Sequence, residues 1–331
     1  IHLFSDLDFA SSFVRYEQRA GGFGFHREQG VLGFAAGPTR GTFSLSSTAF
    51  AGWRQHSQSD ATVAQLRLSS PLSDRGRVLL IADGASTLNR FPGALTSTEL
   101  AADPRQADPD FVSRDERRFN RIARVAAVVD QTLTERQSLT LSLWAEPRKL
   151  QRSERNRFRD FNRYHLGGNG TWSARWQAGD ALEARTSAGF DESLLDGSIL
   201  FYDQVNGARG TTLVANKREG ANSAGGFVQQ ELTWNRRWSA QAALRYDNLW
   251  YIAEDFITPS LDARKRFTRL TPKGSLSYRA ERHTLYAAMG GGVEAPAFNE
   301  IDPPPQFAGT SFNPLLDAMH SRTWEVGARG E

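Results

Sequence analysis

Strict alternation of apolar or small residues with polar ones, sustained over long segments, limits what this chain can fold into more than any other feature. From Arg163 to Gln177 the even positions read Tyr164, Leu166, Gly168, Gly170, Trp172, Ala174 and Trp176. The odd positions read Arg163, His165, Gly167, Asn169, Thr171, Ser173, Arg175 and Gln177. A two-residue period puts one set on each face of a β-strand. After Gln177-Ala178-Gly179-Asp180 the pattern resumes with Leu182, Ala184, Thr186, Ala188 and Phe190 against Glu183, Arg185, Ser187 and Asp191, which predicts a hairpin. The unit recurs as Val228 to Trp234, Asn235-Arg236-Arg237, then Trp238 to Tyr246, and again as Leu270 to Tyr278 and Leu285 to Met289 across Arg279-Ala280-Glu281-Arg282. Less regular stretches before residue 145 extend the count to about fourteen strands.

The connections alternate short and long. Short ones fall at Gly37–Gly41, Ser73–Gly76, Thr132–Arg136, Gln177–Asp180, Asn235–Arg237 and Arg279–Arg282; long polar stretches run over Gly84–Arg118, Glu146–Asn162, Glu192–Gly226, Leu249–Phe267 and Glu294–Arg322. Long loops are uncommon in soluble domains, whereas an outer-membrane barrel keeps tight turns on its periplasmic rim and long loops outside. Trp234 and Trp238 flank one tight turn on the apolar parity, where an indole ring suits the headgroup level of a bilayer. These features predict an all-β, antiparallel transmembrane β-barrel. A propeller is the rival all-β reading, but no repeat of about 40 to 50 residues is found; a β-sandwich ranks lower.

Composition narrows the choice further. No apolar run approaches the ~18 to 20 residues of a spanning helix, the best being Val78-Leu79-Leu80-Ile81-Ala82. With Cys at 0, disulfides, zinc knuckles and a cysteine nucleophile are excluded. Net charge is +3, and of 40 Lys and Arg only positions 149, 217, 265 and 273 are Lys. The start, Ile1-His2-Leu3-Phe4-Ser5, has no initiator Met, basic n-region or apolar stretch, so the chain reads as a mature product or an internal fragment.

Near the end stand Gly290-Gly291-Gly292-Val293-Glu294-Ala295-Pro296-Ala297-Phe298-Asn299-Glu300, then Asn313-Pro314-Leu315-Leu316, then Ser321-Arg322-Thr323-Trp324-Glu325-Val326-Gly327. This order resembles the barrel of TonB-dependent outer-membrane receptors. Arg90-Phe91-Pro92-Gly93-Ala94-Leu95-Thr96 with Ala102-Asp103-Pro104-Arg105-Gln106-Ala107, and Leu270-Thr271-Pro272-Lys273-Gly274-Ser275-Leu276-Ser277-Tyr278, look most like the family's iron-chelate receptors. The chain departs from the pattern at Val293-Glu294 and Ala318-Met319. The resemblance implies a bacterial outer-membrane location and makes residues 1–331 a partial barrel, about fourteen of an expected 22 strands. By the same resemblance the plug domain and the C-terminal strands are absent from this chain. It also implies a metal-chelate ligand, partnership with the TonB-ExbB-ExbD energy complex through the plug, and no cofactor. An open set of strands could not persist in lipid, so the native molecule is expected to be longer.

No catalytic constellation emerges, and the reading is not an enzyme. The six His, at positions 2, 26, 56, 165, 283 and 320, have no ligand spacing. Asp6-Leu7-Asp8 and Asp108-Pro109-Asp110 lack the remainder of a calcium loop, and Gly290-Gly291-Gly292 lacks the Lys of a phosphate loop. The most unusual stretch is basic and aromatic: Arg148, Lys149, Arg152, Arg155, Arg157, Arg159 and Arg163 with Phe158, Phe161 and Tyr164 interleaved. No nucleic-acid fold signature accompanies it. As an extracellular loop it has three candidate partners: lipopolysaccharide phosphates at the outer-membrane lipid surface, neighbouring acids such as Glu154 and Asp160, or an anionic substrate. The candidate ligand contacts are Arg155, Arg157, Arg159, Phe201, Tyr202, Trp250 and Tyr251, and the family-motif loop contributes Ala295, Pro296, Asn299, Glu300, Asn313 and Pro314. Active import of a scarce metal chelate is the first functional reading; a passive pore and a surface adhesion barrel are the others.

Overall fold

The computed structural model describes residues 7–297, 303–307 and 309–330. Its strands are β1 (Phe13–Ala20), β2 (His26–Ala36), β3 (Thr39–Phe50), β4 (Ser59–Ser73), β5 (Gly76–Arg90), β6 (Arg117–Thr134), β7 (Gln137–Glu154), β8 (Arg157–Ala178), β9 (Leu182–Val205), β10 (Ala208–Trp234), β11 (Trp238–Asp255), β12 (Ala263–Ala280), β13 (His283–Glu294) and β14 (Met319–Gly330). They form one 14-stranded antiparallel sheet in sequence order, as the alternation predicts. Two short helices, α1 (Ser97–Ala102) and α2 (Pro109–Ser113), lie between β5 and β6. Each short connection predicted from the sequence is a tight turn at one rim.

The opposite rim differs from expectation. Glu146–Asn162 and Glu192–Gly226 are not loops: β7 and β8 run on to a two-residue turn at Arg155 and Asn156, and β9 and β10 to one at Asn206 and Gly207. All four turn residues have positive φ, the geometry whose twist matches the strands it joins. Strand length climbs to 22, 24 and 27 residues in β8, β9 and β10, at least twice the ~9 to 11 that cross a membrane. Above the lipid both faces of a strand meet water, so the apolar signal fades and the segment reads as loop although pairing continues.

The two faces are chemically opposite. Register partners Val14, Leu32, Phe43, Leu66, Ala82, Val125, Ala145 and Leu166 form one continuous outward row across β1 to β8. Val14, Leu143, Phe190, Tyr246 and Val326 are exposed on this same parity. A soluble fold hides such side chains; here they are the lipid contact. Trp234 pairs with Trp238, whose ring lies 4.6 Å from Tyr278, an aromatic belt beside the short turns.

The inward face carries ion pairs. Arg67 bonds Asp83 at 2.7 Å, Arg124 bonds Glu146 at 2.8 Å and Arg163 bonds Glu219 at 3.0 Å. Arg245 donates to Asp247 at 2.7 Å and, from β11 across β10, to Asp191 on β9 at 2.7 and 3.0 Å. That reach is possible because Gly225 stands between them: a Cβ there would lie 2.3 Å from Arg245 Nη2. Gly225→Val will displace the guanidinium and destabilise the folded barrel by about 1–3 kcal/mol, the cost of breaking a charged hydrogen bond. Urea titration of tryptophan fluorescence checks this, and an unchanged midpoint would remove Asp191–Arg245 as a structural strut.

No strand pairs β14 with β1 among the described residues, so the sheet is an open arc.

Candidate functional site

At the long-strand rim the connection between β5 and β6 is a compact knot. Arg54 gathers it by donating to the carbonyls of Gly93 at 2.8 Å and Gln106 at 2.9 Å. Gly93 has φ +73, and a Cβ there would come 2.6 Å from Asp108 Cβ, so this motif glycine permits both the turn and the close approach. α1 opens with a capping box: Glu99 N donates to Thr96 Oγ1 at 3.3 Å and Thr96 N to Glu99 Oε2 at 2.7 Å. The hydrogen bond from the Thr96 backbone, and then that from its hydroxyl, hold the Glu99 carboxyl below its ordinary value. A lowered folded-state value means the cap contributes fully above the ordinary carboxylate range and is lost as pH falls through the lowered one. The protection of the Leu100 amide, its exchange rate taken relative to the intrinsic rate at each pH, should therefore fall at acid pH; a Glu99→Gln variant should lose most of that dependence, and an identical profile in both would refute the cap's role.

The knot is clasped to the two tall hairpins. The Arg114 carbonyl accepts from Ser153 Oγ at 2.7 Å and from Gln204 Nε2 at 2.9 Å. Glu116, 3% exposed, accepts from the Arg155 backbone N–H at 3.2 Å. Gly207, at the tip of the second hairpin, lies so close that a Cβ would be 2.6 Å from Asp115 Cβ. Three connections distant in sequence are thus tied into one crown.

Beneath the crown, on the inward parity, three arginines from adjacent strands are direct register partners: Arg118 of β6, Arg152 of β7 and Arg159 of β8. Like charges directly opposite one another are destabilising. Among the described residues, Arg152 alone of the three has a carboxylate at hand, Glu154 at 3.3 Å. The Nε atoms of all three are buried without a hydrogen-bond partner among the described residues. Arg159 lies over Phe201, its register partner on β9, at 5.0 Å, and Phe161 meets Phe201 edge to face at 6.0 Å. Arg163, over Phe161 at 5.7 Å, is neutralised by Glu219. Uncompensated guanidinium forks beside ring faces are suited to a flat, multiply anionic ligand.

The structure gathers some of the sequence-predicted residues and scatters others. Arg159 and Phe201 meet in this row, and Arg157 stands one step above, paired with Glu154 and Asp203. Arg155 is the exposed turn residue. Tyr202 and Trp250 fall on the opposite parity, Tyr202 under Arg209 at 4.6 Å and Trp250 opposite Arg266. Tyr251 is 7% exposed and packs on Phe267 with Phe312 and Ala318, so its ring is core rather than open surface. Its hydroxyl donates to the Pro296 carbonyl at 2.6 Å. Ala295 packs on the same cluster. The Asn313 carbonyl accepts from Lys265 Nζ at 3.2 Å, and Pro314 follows in the turn that Asn313 Oδ1 closes on the Leu315 N–H. The family-motif loop is thereby pinned to the inward face of β11 and β12. Asn299 and Glu300 lie outside the described residues. All seven ligand candidates except Arg155 sit on strands rather than in loops, because pairing persists above the lipid. Arg118 escaped the sequence reading, since only register puts it beside Arg152.

Residues 16–331 match the family model described as "TonB dependent receptor-like, beta-barrel". The fold is similar to the unliganded ferric citrate transporter FecA, with a TM-score of 0.74 at 14% identity over 96% of this chain and 48% of that one. It is similar to the siderophore receptor PiuA from Acinetobacter baumannii, with a TM-score of 0.71 at 11% identity over 98% of this chain and 55% of that one. The ferric yersiniabactin uptake receptor FyuA from Yersinia pestis gives 0.67 at 13% identity over 98% and 53%. The chain spans about half the length of these structures, and at such identities the likeness concerns fold.

Proposed function

Since this chain belongs to the TonB-dependent receptor β-barrel family of the bacterial outer membrane, we propose that it is the barrel portion of an active importer of an anionic metal chelate. Further strands close the arc, and a plug coupled to the TonB-ExbB-ExbD complex gates the lumen. The observation that carries this reading is the Arg118–Arg152–Arg159 row beside Phe161 and Phe201, an inward-facing cluster of cations with too few acids. A chelate's carboxylate or phenolate arms would meet the guanidinium forks while its flat portions lie against the rings. The names of the similar structures, a ferric citrate transporter, a siderophore receptor and a ferric yersiniabactin uptake receptor, agree with that ligand class.

The test is uptake of radiolabelled ferric chelates by cells whose outer membrane carries the full receptor. Ferric citrate and a ferric catecholate serve as probes, with and without an uncoupler of the proton gradient. Accumulation that collapses on uncoupling is the expected outcome. Accumulation indifferent to the gradient would replace active import with passive flow through a pore.

A further inference from the structure

We infer that the outward face of β6 and β7 holds the phosphate of an outer-leaflet lipid between Arg121 and Lys149, a site separate from the lumen and from transport. The two side chains are register partners on the lipid-facing parity. Leu139 and Lys149 stand ten residues apart on β7 and share that face. At ~3.3 Å per residue and a tilt of ~40°, this is about 25 Å along the membrane normal, the height of a barrel's apolar band. Leu141, Leu143, Ala145 and Pro147 fill the interval on β7, and Val129, Ala127, Val125 and Ala123 fill it on β6. The first polar outward positions above that band are therefore two cations at headgroup level.

Neither cation forms an ion pair among the described residues. Arg121 lies over the Phe119 ring at 4.5 Å. The nearest acid on this face in the register is Asp160, diagonal to Lys149; it is 4% exposed and accepts from Gln151 Nε2 at 3.1 Å. The same circumferential row continues through Asn162 and Ser198 to Arg218, and the contrast is informative. Arg218 is satisfied by Asp196 at 2.9 Å and Glu254 at 3.2 Å. Higher up, Arg90 and Arg117 share Asp115. These three outward arginines are held by carboxylates, and the Arg121–Lys149 pair is not.

The surface is also shaped for a chain below the headgroup. A groove of about 290 Å³ is lined by Arg121, Ala123, Pro147, Lys149, Asn162 and Tyr164. Pro147 has no N–H to donate to the ladder, and the pairing between β6 and β7 skips from Ile122–Arg148 to Val125–Ala145. Small side chains at Ala123 and Pro147, beside an exposed Tyr164 ring, leave room for an acyl chain under the two charges. A phosphorylated lipid supplies both the anion and the apolar tail that this arrangement fits.

The test compares the detergent-solubilised full receptor with its R121A/K149A and R218A variants. The probes are a bisphosphorylated lipid A, the same lipid with its phosphates removed, and inorganic phosphate. Bound lipid is counted by native mass spectrometry, and heat-modifiable mobility confirms that each variant is folded. The double variant is expected to retain about tenfold less bisphosphorylated lipid than the parent, while R218A stays within about twofold, the dephosphorylated lipid does not discriminate and inorganic phosphate does not displace the bound lipid. Equal retention by parent and double variant overturns the site. Displacement by inorganic phosphate alone overturns the lipid as its occupant.

Discussion

Reversing Arg152 and Arg159 together to glutamate will weaken binding of an anionic ferric chelate by about a hundredfold while the barrel stays assembled. Two charge-assisted hydrogen bonds at about 1.5–3 kcal/mol each exceed the ~2.7 kcal/mol that a hundredfold requires, and the new carboxylates add repulsion. Assembly is expected to survive because the double reversal exchanges one facing pair of like charges for another while giving Arg118 an acid opposite it, so the balance of charge across the ladder is no worse than in the parent. Arg159→Lys keeps the charge and loses the fork over Phe201, and should give an intermediate effect. Equilibrium binding of ferric citrate to the purified receptor reads this out, with heat-modifiable mobility as the folding control. Affinity within twofold of the parent would dismiss the row as the ligand site and leave the crown above it as scaffold.

Residues 1–331 expressed alone will not yield a protease-resistant monomer in the outer membrane. β14 presents both faces and one whole edge to its surroundings, with Trp324 74% and Val326 85% exposed, and β1 does likewise with Val14 at 79%. In hydrocarbon each unpaired N–H or C=O on those edges costs several kcal/mol, and no side-chain burial in the arc offsets a full row of them. The expected result is degradation or aggregation on trypsin challenge of outer-membrane vesicles, reversed when the strands that close the arc are supplied on the same chain. A trypsin-resistant monomeric band from residues 1–331 alone would show that the two edges find each other.

The strand count and every short turn were legible because, at membrane depth, one face must be apolar and the other wet, and that demand writes a two-residue period into the residues. The same reasoning misread Glu146–Asn162 and Glu192–Gly226, where pairing continues without lipid on either side and the period has nothing to enforce it. Asn206-Gly207 did carry a hairpin signal, since both residue types tolerate positive φ. Arg155-Asn156 carried little, because arginine is an unusual residue in that conformation. Tyr251 and Trp250 looked alike as adjacent loop aromatics; adjacency in a strand sends one ring to the core at Phe267 and the other outward.

Alternation and turn chemistry by themselves determined that this chain is a sheet with one lipid-facing side, how many strands it has and where it reverses. Tertiary structure alone decided which cations meet. From a simple turn at Glu135 and Arg136, Arg118 would pair with Ser153, but the register shifts between Thr132 and Thr134 and Arg118 pairs with Arg152 instead. A second set of shifts between Arg209 and Ala215 sets Phe201 opposite Ala215. A slip of one residue exchanges the two faces of a strand, so no reading of a single segment can say which side chains share a row. Register belongs to the pair of strands, and it is settled by a bulge and by the packing of everything beside it.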